Sequence, residues 1–113
     1  MGREGQERTE IPPGTLYMLV LKTLARLGPT HGYGIAQHIQ QTSEILQVEE
    51  GSLYPALQRM LVKGWVTAEW GQSDNHRRAR YYRLTPLGRK QLSVEISEFE
   101  RVMEAIGRVI QPA

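Results

Sequence analysis

A length of 113 residues suits one domain, and 40% hydrophobic with 23% charged residues is a globular composition rather than a disordered one. With no cysteine, disulfides, thiolate metal sites and cysteine nucleophiles are excluded together, and no apolar run reaches the roughly 20 residues of a membrane span. The formal net charge of +2 hides an uneven distribution: residues 71–90 set Arg77, Arg78, Arg80, Arg83, Arg89 and Lys90 against Asp74 alone.

The start, MGREGQERTE, is charged and has no apolar stretch of the kind a signal peptide needs. Residues 1–13 are expected to form a disordered tail that ends at Pro12-Pro13-Gly14, and the protein is expected to be cytoplasmic. TLYMLVLKTLARL (15–27) is apolar on nearly every side and predicts a buried helix. Thr15 is placed to cap it, and Lys22 and Arg26 mark its exposed stripe. GPTHG (28–32) predicts a turn. YGIAQHIQQTS (33–43) predicts a short second helix, with Ile35 and Ile39 inward and Gln37, Gln40 and Gln41 outward.

In EILQVEEGSLYPALQRMLVKG (44–64), Leu53, Leu57, Met60 and Leu61 recur at helical spacing. Pro55 is awkward, because proline is tolerated mainly in a first turn. The third helix is therefore expected to begin near Glu49 or Gly51, with a distorted entry, and to end at Gly64. WVTAEWG (65–71) and RARYYRLT (78–85) alternate in polarity and are separated by QSDNH, which predicts a β-hairpin. From Pro86 to Ile110 a long helix is expected, with Pro86 in its first turn.

The predicted fold class is thus mostly α with a small β-hairpin, in the order helix, helix, helix, hairpin, helix. That is the plan of a winged helix-turn-helix over residues 14–85, followed by a C-terminal dimerisation helix over 86–113. In this plan the third helix enters the major groove of DNA and the hairpin tip lies against the sugar-phosphate backbone.

Several segments are also similar to a known family. HGYGIAQHIQ, GSLYPALQRM, KGW and RRARYYRLTPLGRKQL resemble the PadR family of bacterial transcriptional regulators, from about Gly14 to Leu92. The likeness is to the short members with a single C-terminal helix, a subset of which tends to be encoded beside permease genes. The resemblance implies a homodimeric DNA-binding repressor, sometimes relieved by a small aromatic or drug-like effector. Some members line a pore between subunits with a tryptophan on the last helix; here Phe99 is that helix's only aromatic residue.

The residues themselves support candidate contacts to double-stranded DNA. On the third helix, Gly51 and Ser52 are small enough for close backbone approach, and Ser52 and Tyr54 can donate to phosphates or base edges. Gln58 suits adenine and Arg59 suits guanine. On the hairpin, Arg77, Arg78 and Arg80 offer planar forks to phosphate oxygens, and Asn75 and His76 add hydrogen-bonding groups. Tyr81 and Tyr82 are expected to pack rather than stack on bases. Trp65 and Trp70 are assigned to the junction with the last helix.

Leu92, Ile96, Phe99, Met103, Ile106 and Ile110 are spaced 4, 3, 4, 3 and 4, a heptad seam about 27 Å long at 1.5 Å per residue. Val102 and Val109 widen it, and the seam is expected to bind a second copy. An inverted-repeat operator follows from a two-fold dimer.

No catalytic residue, metal site or cofactor is expected. The only aspartate is Asp74, on the hairpin tip, and His31 and His38 lie seven apart with no cysteine beside them. Two other functions fit the same pattern. One is a winged-helix protein-interaction module that never touches DNA. The other is a ligand-sensing dimer whose site lies between the C-terminal helices around Phe99.

Overall fold

The computed structural model describes residues 8–112. Its elements are β1 (Thr9–Glu10), α1 (Leu16–Leu27), β2 (Thr30–His31), α2 (Gly32–Thr42), β3 (Leu46–Gln47), α3 (Glu50–Val62), β4 (Val66–Gln72), β5 (Arg78–Leu84) and α4 (Pro86–Ile110). The expected helix order, hairpin and long last helix are all present.

Two features differ from expectation. GPTHG is more than a turn: Thr30 and His31 pair antiparallel with Tyr82 and Tyr81, giving a three-stranded sheet in the order β2-β5-β4. The predicted tail also fails over residues 9–13, while residues 1–7 lie outside the described part of the chain. Thr9 and Glu10 pair in parallel with Leu46 and Gln47, the Arg8 guanidinium donates to the Leu46 carbonyl at 2.8 Å, and Ile11 packs against the core. Both additions are two residues long, too short to leave a periodic signal.

The core is where the apolar periodicities meet. Val20, Leu21 and Leu24 of α1, Ile35 and Ile39 of α2, and Leu53, Ala56, Leu57 and Met60 of α3 are buried together with Val66, Tyr82 and Leu84 of the hairpin. Thr23 is buried among them, and its hydroxyl donates to the Leu19 carbonyl at 2.8 Å, which removes the penalty for a polar group there. Lys22 and Arg26 are exposed as expected. Gln40 departs from its predicted outward position: its side-chain oxygen accepts the Val48 N–H at 2.9 Å and ties α2 to the approach to α3. Thr15 stands at the N-cap of α1, but its hydroxyl donates backwards to the Pro12 carbonyl and caps nothing.

Helix α3 ends on Gly64, whose φ is 80°, with Gly64 N–H donating to the Leu61 carbonyl and Trp65 N–H to the Met60 carbonyl. This reciprocal pair satisfies the last carbonyls and needs a residue that tolerates positive φ. The start of α4 is fixed just as tightly. The Thr85 hydroxyl accepts from Gly88 N–H at 2.9 Å and donates to the Gly64 carbonyl at 2.7 Å. Gly88 is buried against the carbonyl of Trp65.

The first turns of α4 belong to this core. Leu92 is only 8% exposed and Ile96 packs on the same cluster. This corrects the seam read from the sequence. Leu92 and Ile96 fill the fold's own interior against α1, and the outward apolar face begins at Phe99. A heptad period cannot by itself show which partner each position meets.

Candidate nucleic-acid interface

Helix α3 turns about 100° per residue, so its buried side, Leu53, Ala56, Leu57 and Met60, dictates what faces away. The opposite line is Gly51, Pro55, Gln58 and Val62, all exposed and none charged. Gln58 makes no hydrogen bond among the described residues. Pro55 is the sixth residue of α3, one turn later than a proline is expected.

The other candidates on this helix sit on its flanks. Arg59 donates from Nε to the Tyr17 hydroxyl at 2.6 Å, and its guanidinium lies 5.7 Å from the centre of that ring. It is therefore held on α1. Ser52 lines a small groove with Glu10, Ile11, Pro12 and Leu16, beside the N-terminal arm. Tyr54 leans over Gly32, where a Cβ would fall 2.5 Å from its hydroxyl oxygen. Burial, then the nearby Glu50 and Tyr82, raise its phenol above the ordinary value of 10.0, so it is a neutral donor at physiological pH. Glu49 occupies the N-cap position without a side-chain cap.

The hairpin tip is closed by its own backbone. His76 N–H donates to the Ser73 carbonyl at 2.9 Å and Ser73 N–H to the Arg77 carbonyl at 2.7 Å. His76 has a φ of 61°, a left-handed conformation unusual for a residue with a Cβ. Asn75, His76, Arg77, Arg78 and Arg80 are exposed. None of these three arginines has a carboxylate within ion-pair distance among the described residues, whereas Arg83, on the other face, lies 3.9 Å from Glu69. Among the described residues these three exposed arginines have no ion-paired counter-charge, although Asp74 lines the same cleft as Arg77 and Arg78.

Trp70 does not sit at the last-helix junction expected from the sequence. It is 58% exposed, and the Arg78 guanidinium stacks 4.5 Å from its ring centre. Period-2 alternation gave the right face of β4 but not how far toward the tip the core extends. Trp65 does sit at the junction, edge-on to Tyr17 with ring centres 5.4 Å apart. The tyrosines pack as expected. Tyr82 is buried, and Tyr81 donates to the Gln72 carbonyl while meeting His31 edge-on. His31 Nδ1 accepts from Gly34 N–H and caps α2.

Sequence reasoning missed Tyr17 as the partner of Arg59 and Tyr33 as part of this surface. Tyr33 is 66% exposed and, with Gln37 and His38, faces the hairpin tip across a cleft of about 630 Å³ that Arg77 and Arg78 also line. Neither carries a motif; both become visible only when the elements are assembled. Among the described residues no group of three or more His, Cys, Asp or Glu is placed to hold a metal ion.

The C-terminal half of α4 carries an exposed apolar face. Phe99, Val102, Met103 and Ile106 are exposed, and Val109 and Ile110 more so. Four of these, with Val94, form one wall of a groove of about 560 Å³ whose other wall is Pro12 to Thr15.

The family model of the PadR-like transcriptional regulators matches residues 20–94. The chain belongs to that family. A transcriptional regulator from Clostridium thermocellum has the same fold, with a TM-score of 0.78 at 28% identity over 87% of this chain and 95% of that one. A PadR family regulator from Eggerthella lenta gives a TM-score of 0.75 at 26% identity, over 88% and 85% of the two chains. An uncharacterised protein of Lysinibacillus sphaericus is 32% identical over 88% of this chain and 91% of its own length. As a PadR-like regulator the chain is a DNA-binding transcriptional regulator, and its four helices and small antiparallel sheet are those of the family's winged-helix fold. The match ends at residue 94, so the exposed apolar part of α4 lies beyond the segment that defines the family.

Proposed function

We propose that this PadR-like regulator is a homodimeric cytoplasmic repressor that binds an inverted-repeat operator. Residues 14–85, together with the buried start of α4, act as the DNA-reading unit. Gly51, Pro55 and Gln58 of α3 enter the major groove, with Ser52 and Tyr54 reaching backbone at its edges. Asn75, His76, Arg77, Arg78 and Arg80 hold the flanking phosphates. Phe99, Val102, Met103, Ile106, Val109 and Ile110 meet a second copy. Repression follows where the operator overlaps a promoter. No cofactor or metal enters the reading.

The observation that carries it is the hairpin, where Arg77, Arg78 and Arg80 lie exposed within four positions and, among the described residues, form no ion pair with a carboxylate. Phosphate oxygens are the natural counter-charge for such a cluster. A protein-interaction module would need neither these arginines nor an uncharged outer line on α3. The second reading, an effector site, is favoured by one feature: the mostly apolar groove along Phe99 and Met103 is large enough for a small aromatic molecule.

Selection of random duplexes is the test. An inverted repeat is expected, with half-sites one helical turn or a multiple of it apart; selection of no sequence at all would return the fold to protein interaction. Within that operator, Gln58→Ala should cost about 1–3 kcal/mol at one base position. Arg59→Ala should weaken every operator variant alike, because its guanidinium is held by Tyr17 on α1 rather than aimed along the outer line. Loss of discrimination at one position in Arg59→Ala would assign that residue to a base.

A further inference from the structure

Pro55 sits where proline harms its own helix and adds nothing to the core. It is the sixth residue of α3 and is exposed. A proline there cannot donate to the carbonyl of Gly51, four residues back, and its ring crowds that carbonyl. Only a first-turn proline escapes this penalty. Residues that break a local rule without a packing gain are expected at functional sites.

The neighbours of Pro55 suggest what the ring serves. A Cβ built on Gly51 meets nothing within 4 Å, so that part of the face is open to close approach. Gln58, one turn on, is exposed and uncommitted. The charged groups Glu50 and Arg59 lie to either side of this line. The centre of α3 therefore presents an apolar pyrrolidine ring beside a neutral amide. Proline has no N–H and cannot donate to a phosphate. In the major groove the one apolar feature of any base pair is the 5-methyl group of thymine, and adenine's N6 donor and N7 acceptor match a glutamine amide.

We infer that Pro55 packs against a thymine 5-methyl group, with Gln58 on a neighbouring adenine, so that each half-site centres on A·T pairs. This rests on α3 being the DNA-reading helix, and the test separates the two claims. The selected operator is synthesised with deoxyuridine replacing each thymine in turn, which removes the methyl and keeps the hydrogen-bonding edges. The unmodified protein should lose about fourfold in affinity at one position per half-site, the value of burying one such carbon. Pro55→Ser should bind the native operator more weakly, be indifferent to uracil at that position, and unfold at a higher temperature than the parent.

Selection of no operator would overturn the DNA reading and this inference with it. An operator bound equally well with uracil at every position, or half-sites without A·T pairs, overturns the Pro55 contact and leaves DNA binding intact. Persistence of the uracil effect in Pro55→Ser assigns the methyl to another residue. A lower unfolding temperature in that variant makes the proline structural. Either result sinks the proposal.

Discussion

Phe99→Glu is expected to give a monomer whose operator affinity is lower by about 10²–10⁴-fold, the loss that follows when two linked half-sites become independent. Phe99 is 37% exposed and begins the outward apolar face that continues through Val102, Met103 and Ile106. A carboxylate there would be buried without a partner in any dimer built on that face, and burying an unpaired charge is costly. The hairpin and α3 are untouched, so weak, salt-sensitive DNA binding should survive. Sedimentation equilibrium and an operator titration read the two effects separately. Leu92→Ala is the contrast. That side chain lies in the fold's own core, so the change should lower stability by about 2–5 kcal/mol. A Phe99→Glu protein that stays dimeric and binds normally would place the interface on another surface.

Gly88→Ala should destabilise the folded chain by about 1–3 kcal/mol, even though alanine is the better helix former by about 1 kcal/mol. The collision decides the sign. A Cβ on Gly88 would fall 2.1 Å from the Trp65 carbonyl oxygen and 2.8 Å from Leu84 Cδ1. The carbonyl is held in place, because it accepts from Thr85 N–H at 3.1 Å and shares the Thr85 hydroxyl proton, at 3.0 Å, with the Gly64 carbonyl. To make room, α4 must lift off the hairpin and its cap must break. Each kcal/mol lost should lower the unfolding midpoint by roughly 4–8 °C in a domain of this size. At Gly107 a Cβ meets nothing within 4 Å, so alanine there should raise the midpoint. A higher midpoint for Gly88→Ala would show that the junction is looser than these contacts imply.

Most of the fold was legible because its signals are periodic and local. The helical spacing of Leu53, Leu57 and Met60, the alternation through Tyr82 and Leu84, and the punctuation by Gly64 and Pro86 each specify an element without reference to the rest. The pairing of Thr9 with Leu46 and of Thr30 with Tyr82 was not legible, since two-residue strands are recruited by a neighbour rather than by their own pattern.

The site divides in the same way. The exposure of the arginine-rich tip followed from hairpin and charge. That Arg59 is tied to Tyr17, 42 positions earlier, depends on how α1 crosses α3. Leu92 and Phe99 are equivalent in a heptad but not in the fold: Leu92 is buried in the core and Phe99 is exposed.

The central claim is that the unpaired arginines of the hairpin tip hold DNA phosphates. It is tested most directly by operator affinity measured across salt concentrations, for the parent protein and for a variant with Arg77→Ala and Arg78→Ala together. Each phosphate contact contributes about 0.9 to the slope of log affinity against log salt, so losing both should flatten that slope by about 1.8 and weaken all sequences alike. An unchanged slope, with binding altered at a single base position instead, would contradict the account.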